Sequence, residues 1–280
     1  MNYESGESTV IYETAELIEA PNWTLDGEWL IFNTDGRIFR ISPDGKRGPE
    51  RINTEPIKDL NNDHVLSPDG KQIYLSSRDG HLYRLPIAGG QPKRVSNQQE
   101  AERNFRYYLH GVSPDGKTLG YVGVENRGGG GTKMRICTIP TQGGTDQFLT
   151  DGSVPVDGPE FSVDGKWIYF NGEAPTRQPG HAQIYRMRQD GSEVQQLTHD
   201  ERVNWFPHYS PDGQHIAYLS YPPGTEGHPP DRAVELRIMN SEGGEMRSLV
   251  SCWGGQGTIN VNSWAPDSQR FAYVAYPIHN

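Results

Sequence analysis

Side chains able to bind a metal, move a proton or hold a polar ligand recur at fixed distances from a four-residue phrase. The phrase occurs six times, as Thr24-Leu25-Asp26-Gly27, Ser67-Pro68-Asp69-Gly70, Ser113-Pro114-Asp115-Gly116, Ser162-Val163-Asp164-Gly165, Ser210-Pro211-Asp212-Gly213 and Ala265-Pro266-Asp267-Ser268. Six residues before its last position stand Pro21, His64, His110, Pro159, Pro207 and Asn262; eight before it stand Glu19, Asn62, Tyr108, Asp157, Trp205 and Asn260. Positions two apart on a strand face the same way, so imidazoles, carboxylates, amides and aromatics are expected to converge. Neutral imidazole beside a carboxylate suits zinc, manganese or a similar divalent ion. His64, His110 and Asp157 are therefore candidate metal ligands, although no short metal motif such as H-E-x-x-H is present. Without a metal, Glu19 and Asp157 favour a cationic group. A structural reading stands beside these: His64, His110 and His208 bond between neighbouring elements and hold them in register.

The elements that position these residues follow from the spacing of the phrase. Successive copies end 43, 46, 49, 48 and 55 residues apart, the period of a four-stranded propeller blade. In the second repeat, His64-Val65-Leu66, Gln72–Ser76, His81–Leu85 and Gln91–Val95 read as four short strands separated by Pro-Asp-Gly, Asp79-Gly80 and Gly89-Gly90 turns. The expected fold is all-β, a single six-bladed β-propeller domain over residues 1–280. The sixth repeat stops after its second strand, Phe271–Tyr276, and the run Ser8–Thr14 is expected to close the ring as an outer strand of that last blade. Trp23, Trp29, Phe161, Trp167, Tyr169 and Trp264 are expected to pack between blades.

In a propeller the residues opening each first strand ring the mouth of the central channel, and the connections between second and third strands lie on the same face. Those connections are tight in the first two repeats but long at Glu125–Thr132, Asn171–Ala182 and Tyr221–Ala233. They bring Arg127, Arg177, His181, His228, Asp231 and Arg232 to the rim, as loops of this kind often serve binding. Gly254-Gly255-Gln256-Gly257-Thr258 enters on the same side, where its glycines permit either close approach to a ligand or a sharp bend. The candidate ligand-binding set thus comprises the first-strand residues His64, His110, Asp157, Asn62, Asn260, Asn262, Tyr108, Trp205 and His208, with His228, Asp231, Arg232 and Gln256 from the loops.

A formal charge of −10 argues against a nucleic-acid partner, which requires a basic surface. Cys137 and Cys252 stand in different repeats and suggest no disulfide framework. The first residues lack the basic and apolar regions of a signal peptide, and no run of 18 apolar residues would span a membrane. The expected location is cytoplasmic for the sequence as written, or periplasmic if an upstream signal has been removed.

The unit Ser67-Pro68-Asp69-Gly70-Lys71-Gln72-Ile73-Tyr74, followed by Leu82-Tyr83-Arg84-Leu85 and Gly89-Gly90, resembles the WD-type repeat of the TolB carboxy-terminal propeller, and its copies cover nearly the whole chain. Similar repeats occur in prolyl-oligopeptidase-type propellers and oligogalacturonate lyases, so the resemblance speaks more to fold than to function. TolB is a periplasmic interaction protein with an additional amino-terminal domain, which has no counterpart in these residues. The resemblance implies a binding or interaction module that presents a polar central funnel to a peptide segment or small polar ligand. The alternative it implies is a metal-dependent enzyme acting on acidic carbohydrate, in which a divalent metal and Arg232 or Arg177 grip the acid while a histidine abstracts the proton alpha to the carboxylate. Serine hydrolysis is disfavoured, since no G-x-S-x-G nucleophile elbow is present.

Overall fold

The turns of the recurring phrase share one geometry. Ser67 Oγ donates to Asp69 Oδ1 at 2.6 Å, Asp69 Oδ1 accepts from Lys71 N–H at 3.0 Å, and Ser67 Oγ accepts from Gln72 N–H at 2.8 Å. Serine and aspartate thus satisfy the backbone of the bend, leaving the fourth residue in the left-handed region. That residue is Gly70 at φ +69° in the second copy and Ser268 at +57° in the last.

The computed structural model describes residues 1–128, 131–174 and 178–276. Its strands form five four-stranded antiparallel meanders. The first sheet holds β1 (Glu19–Trp23), β2 (Leu30–Thr34), β3 (Arg37–Ile41) and β4 (Glu50–Arg51), and the second β5 (Leu60–Leu66), β6 (Gln72–Ser77), β7 (Leu82–Pro86) and β8 (Lys93–Arg94). The third holds β9 (Phe105–Val112), β10 (Thr118–Asn126), β11 (Thr132–Pro140) and β12 (Gln147–Phe148), and the fourth β13 (Val156–Phe161), β14 (Trp167–Glu173), β15 (Ala182–Arg188) and β16 (Gln195–Gln196). The fifth holds β17 (Val203–Tyr209), β18 (His215–Tyr221), β19 (Arg232–Asn240) and β20 (Arg247–Gly254). Among the described residues no helix is long and apolar enough to cross a membrane.

The all-β propeller is as expected, but among the described residues it has five four-stranded blades rather than six. Around the sixth turn there are only isolated bridges, Trp264 to Phe271 and Asn2 to Arg270. The expected closing strand is also displaced. Ser8–Thr14 forms no strand; instead Tyr3 N–H donates to Gln269 O at 3.1 Å and Phe271 N–H to Met1 O at 3.0 Å. Side-chain burial explains the choice. Tyr3 buries its ring against Trp264 and His215, with centroids 5.6 and 4.8 Å away, whereas Val10 in the rejected run is 79% exposed. Tyr3→Ala is expected to lower the free energy of unfolding by about 2–3 kcal/mol through lost apolar burial, measurable by urea denaturation.

Each first strand carries a register irregularity against its second strand, between Glu19 and Asn22 in β1, Leu60 and His64 in β5, Asp157 and Glu160 in β13, and Trp205 and His208 in β17, with β9 interrupted opposite Gly120/Tyr121. Ala20, Gly158 and Phe206, each seven residues before the end of its turn, take φ of 58°, 62° and 54°. A bulge re-aims the side chains around it, so the simple two-residue alternation fails where the strands face the channel.

The interblade core contains Trp23, Phe161, Tyr169 and Trp264 as expected. Trp29 and Trp167 are only half-buried. Each lies under two guanidinium groups, Arg40 and Arg47 at 4.3 and 4.6 Å over Trp29, and Arg186 and Arg188 at 4.4 and 3.8 Å over Trp167. The indoles attract cations on their faces while the long side chains shield their apolar surface.

Candidate functional site

Where the bulged first strands meet, a cavity of about 280 Å³ opens beside the third and fourth blades. Asp63, His110, Asp157, His228, Gln256 and Asn260 give it a polar wall; Val122, Val124, Met134 and Phe206 give it an apolar one, with Tyr108 beside both. It shares Asp63, Tyr108 and Gln256 with a wider mouth of about 1140 Å³, bounded by Glu19, Asn62 and the Asp35-Gly36 and Arg78 turns. The mouth therefore lies on the face that the strand connections predict.

A carboxylate sits between two imidazoles at the centre of the inner cavity. Asp157 Oδ1 is 3.0 Å from His110 Nε2 and accepts from Gly158 N–H at 2.7 Å, while Asp157 Oδ2 is 3.6 Å from His228 Nε2. His110 stacks on Phe206 with centroids 5.9 Å apart and planes at 19°. His228 reaches in from the β18–β19 loop and packs edge-on against Trp205 and Phe206, at 4.5 and 5.3 Å. Asp63 accepts from Asn61 Nδ2 at 2.6 Å and from Asn260 Nδ2 at 3.1 Å.

Burial works against a charged His110, but the Asp63 and Asp157 carboxylates outweigh it and raise the imidazole to about 9. His110 is therefore a cation at neutral pH. Burial also opposes the charge on Asp157, yet His110, with help from His228, holds its carboxyl well below the usual range. Asp63 shifts the other way, raised by burial and by Asp157 despite the opposing pull of His110. Two buried acceptor atoms here have no hydrogen-bond partner, His228 Nδ1 and Asn260 Oδ1.

The structure brings His110, Asp157, His228, Tyr108, Gln256 and Asn260 together around the inner cavity, and Asn62 to the outer mouth, where its Nδ2 donates to Glu19 Oε1 at 3.0 Å. Other candidates serve elsewhere. His208 Nδ1 is 2.7 Å from Glu160 Oε2, and its Nε2 contacts Ile259 O, as the structural reading of the histidines expects. Asn262 donates to Glu160 Oε1 and Tyr209 O. Trp205 buttresses His228 without lining the cavity. His181 turns to Asp200 O at 3.1 Å, Arg127 pairs with Glu125 at 2.6 Å, and Asp231 at the end of the loop and Arg232 at the start of β19 are exposed outside either cavity. Arg177 lies outside the described residues, as do two glycines of the Gly128–Gly131 run. Gly257 makes a close approach to the protein itself: a Cβ there would lie 2.6 Å from Glu19 Oε1.

His64 lines neither cavity. It is wholly buried, and burial, outweighing a contact with the Asn62 backbone, depresses its basicity to about 3, so it is neutral. The unfolded chain takes up a proton here below about pH 6.5, which the folded state accepts only near 3, so stability is lost as pH falls through that interval. His64→Leu is expected to flatten the decline of melting temperature between about pH 6.5 and 4, as thermal melts across that range will show. The proposed His64–His110–Asp157 ligand set is thus not assembled. Among the described residues no three His, Cys, Asp or Glu side chains converge as metal ligands, and His110 Nε2 is engaged by Asp157.

Sequence counting missed Asp63 and Phe206, both seven residues before the end of a turn, because it assumed unbroken alternation. The isolated Gly158 within a strand was a signal for the bulge. Val122, Val124 and Met134, on second and third strands, carried no such signal.

The geometry can be set beside known proteins. The chain is 37% identical over 279 residues to Atu1656 of Agrobacterium fabrum, covering 98% of this chain and 90% of that protein. A solved structure from Agrobacterium tumefaciens, provisionally identified there as TolB, superposes with a TM-score of 0.89 at 36% identity, covering 99% of this chain and 96% of the other. The chain belongs to this TolB-like β-propeller family. Residues 120–226, which run from the second strand of the third blade to just past the second strand of the fifth, also match the dipeptidyl peptidase IV N-terminal region. An oligogalacturonate lyase solved in complex with manganese superposes at a TM-score of 0.59 with 16% identity, over 86% of this chain and 68% of that one. At that identity the likeness shows a shared propeller fold.

Proposed function

We propose that this propeller is a binding module whose central funnel receives a small polar ligand or a peptide segment. The observation that supports it is the preformed inner cavity, where the Asp63–His110–Asp157–His228 cluster sits at the base of an open mouth with polar atoms left unpartnered. Buried polar groups normally have partners, and concave sites with a few convergent polar groups on apolar walls suit small ligands. The metal-dependent reading on acidic carbohydrate is less well supported. Asp63 and Asp157 would repel an acidic sugar, and the residues that would hold the metal are not grouped.

Ligand-observed NMR with a mixed library of short peptides and small polar compounds tests the proposal, comparing the wild type with Val124→Trp, which fills the cavity. Binding that disappears in a folded Val124→Trp protein is the expected result. Equal binding to both proteins would place recognition elsewhere.

A further inference from the structure

We infer that the inner cavity recognises a primary ammonium group borne by an apolar side chain, either as a small amine or as the amino terminus of a peptide. The inference deepens the binding-module reading and rests on it. Its first support is the direction of the unmet hydrogen bonds. Asn260 commits its Nδ2 to Asp63 Oδ1 at 3.1 Å, which leaves its unpartnered Oδ1 as an acceptor. His228 turns Nε2 toward Asp157, so with the proton on that nitrogen its unpartnered Nδ1 is also an acceptor. Asp157 Oδ2 meets only His228, at 3.6 Å, beyond hydrogen-bond distance. Two buried acceptors, Asn260 Oδ1 and His228 Nδ1, thus lack a donor, and the long His228 contact leaves Asp157 Oδ2 room for another. An ammonium brings three N–H groups and no acceptor.

Charge points the same way. Asp63 and Asp157 bring two carboxyl groups to the same cavity, with Asp157 Oδ1 3.0 Å from His110 Nε2. The raised proton affinity of buried Asp63 has the same origin in part, since Asp157 adds to the effect of burial. A bound cation would relieve that repulsion. The ring of Phe206 forms another wall, and aromatic faces attract ammonium groups.

The remaining wall specifies what the ammonium carries. Val122, Val124 and Met134 stand across from the acidic groups. The volume of about 280 Å³ equals that of about nine liquid waters, enough for an amine with one aliphatic side chain. Anything longer must continue into the outer mouth, which the cavity joins at Tyr108 and Gln256. A peptide entering amino terminus first satisfies this geometry, as does a small amine bound alone.

Isothermal titration calorimetry at pH 7 with defined probes tests the inference. Leucinamide and Leu-Ala-Ala-amide carry the ammonium; N-acetyl-leucinamide and N-acetyl-Leu-Ala-Ala-amide lack it; isopentylamine is the ammonium with its apolar group alone. The free-amine probes are expected to bind about tenfold or more tightly than their acetylated counterparts. Asp157→Asn and Asp63→Asn should each erase that preference, with folding checked by circular dichroism. Tighter binding of the tripeptide than of isopentylamine would identify a peptide terminus as the source, and the reverse a small amine. Equal affinity for free and acetylated probes, or no binding of any free amine, overturns the inference. If acetylated or acidic probes bind and Val124→Trp abolishes that binding, the ammonium inference falls while the binding-module reading stands.

Discussion

Glu160→Ala is expected to lower the free energy of unfolding by about 3–5 kcal/mol, the range for removing one member of a buried ionic hydrogen-bonded group. Glu160 is 8% exposed and lies in the fourth blade, yet its partners belong to the fifth blade and the segment beyond it. Its Oε2 lies 2.7 Å from His208 Nδ1, and its Oε1 accepts from Tyr209 N–H at 2.8 Å and Asn262 Nδ2 at 2.6 Å. Removing the carboxylate leaves three groups without their acceptor where water has little access. Guanidinium denaturation of wild type, Glu160→Ala and Glu160→Gln measures the effect. The Gln variant keeps one acceptor and should recover part of the loss. A Glu160→Ala protein within about 1 kcal/mol of wild type would show that blade packing alone holds this seam.

Asp157→Ala is expected to destabilise the fold by about 3 kcal/mol or more at neutral pH and to change its pH dependence. In the wild type the stabilisation from raising His110 to about 9 is complete below its unfolded value of 6.5 and is lost as pH rises through 9. The contribution of Asp157 has the opposite sense, present above its ordinary value of 3.8 and lost as pH falls through its lower folded value. The pair therefore stabilises fully from about pH 4 to 6.5 and fades toward 9. Without Asp157, His110 retains only Asp63 as a nearby carboxylate, and its titration should move down toward neutrality. Melting curves from about pH 5 to 10, together with NMR titration of the His110 ring, will report both effects. An unchanged His110 titration in the variant would assign its stabilisation to Asp63 instead.

The pair also shows how far sequence reasoning reached. His110 and Asp157 were found by counting from turns whose Ser, Asp and Gly side-chain chemistry is local. The same count pointed to Tyr108 and Asn260, which line the cavity; loop length pointed to His228, and the glycines of the Gly254–Thr258 run to Gln256. It failed for His64 because a position on a repeat does not specify burial: that ring belongs to the interior and lines neither cavity. It failed for Asp63 because a bulge moves side chains away from strict alternation. Glu160 escaped notice for a different reason. Its role depends on partners 48 and 102 residues away, and no local pattern announces such pairings.

The blade count separates the two kinds of information. Turn chemistry and a period near 48 residues are local and repetitive, so the sequence by itself determined an all-β propeller, the face that carries its mouth and six of the eleven residues that line the inner cavity. Packing decided how the ring closes: Tyr3 buries its ring against Trp264 while Val10 stays in water, which selects residues 1–3 over 8–14 and leaves bridges in place of a sixth four-stranded sheet. The inner cavity is likewise a product of tertiary structure. Its acidic groups come from two blades, its histidines from strand and loop, and its apolar wall from β10, β11 and β17. Their approach depends on bulges and side-chain packing across blades, interactions between residues far apart in the chain that no repeat encodes.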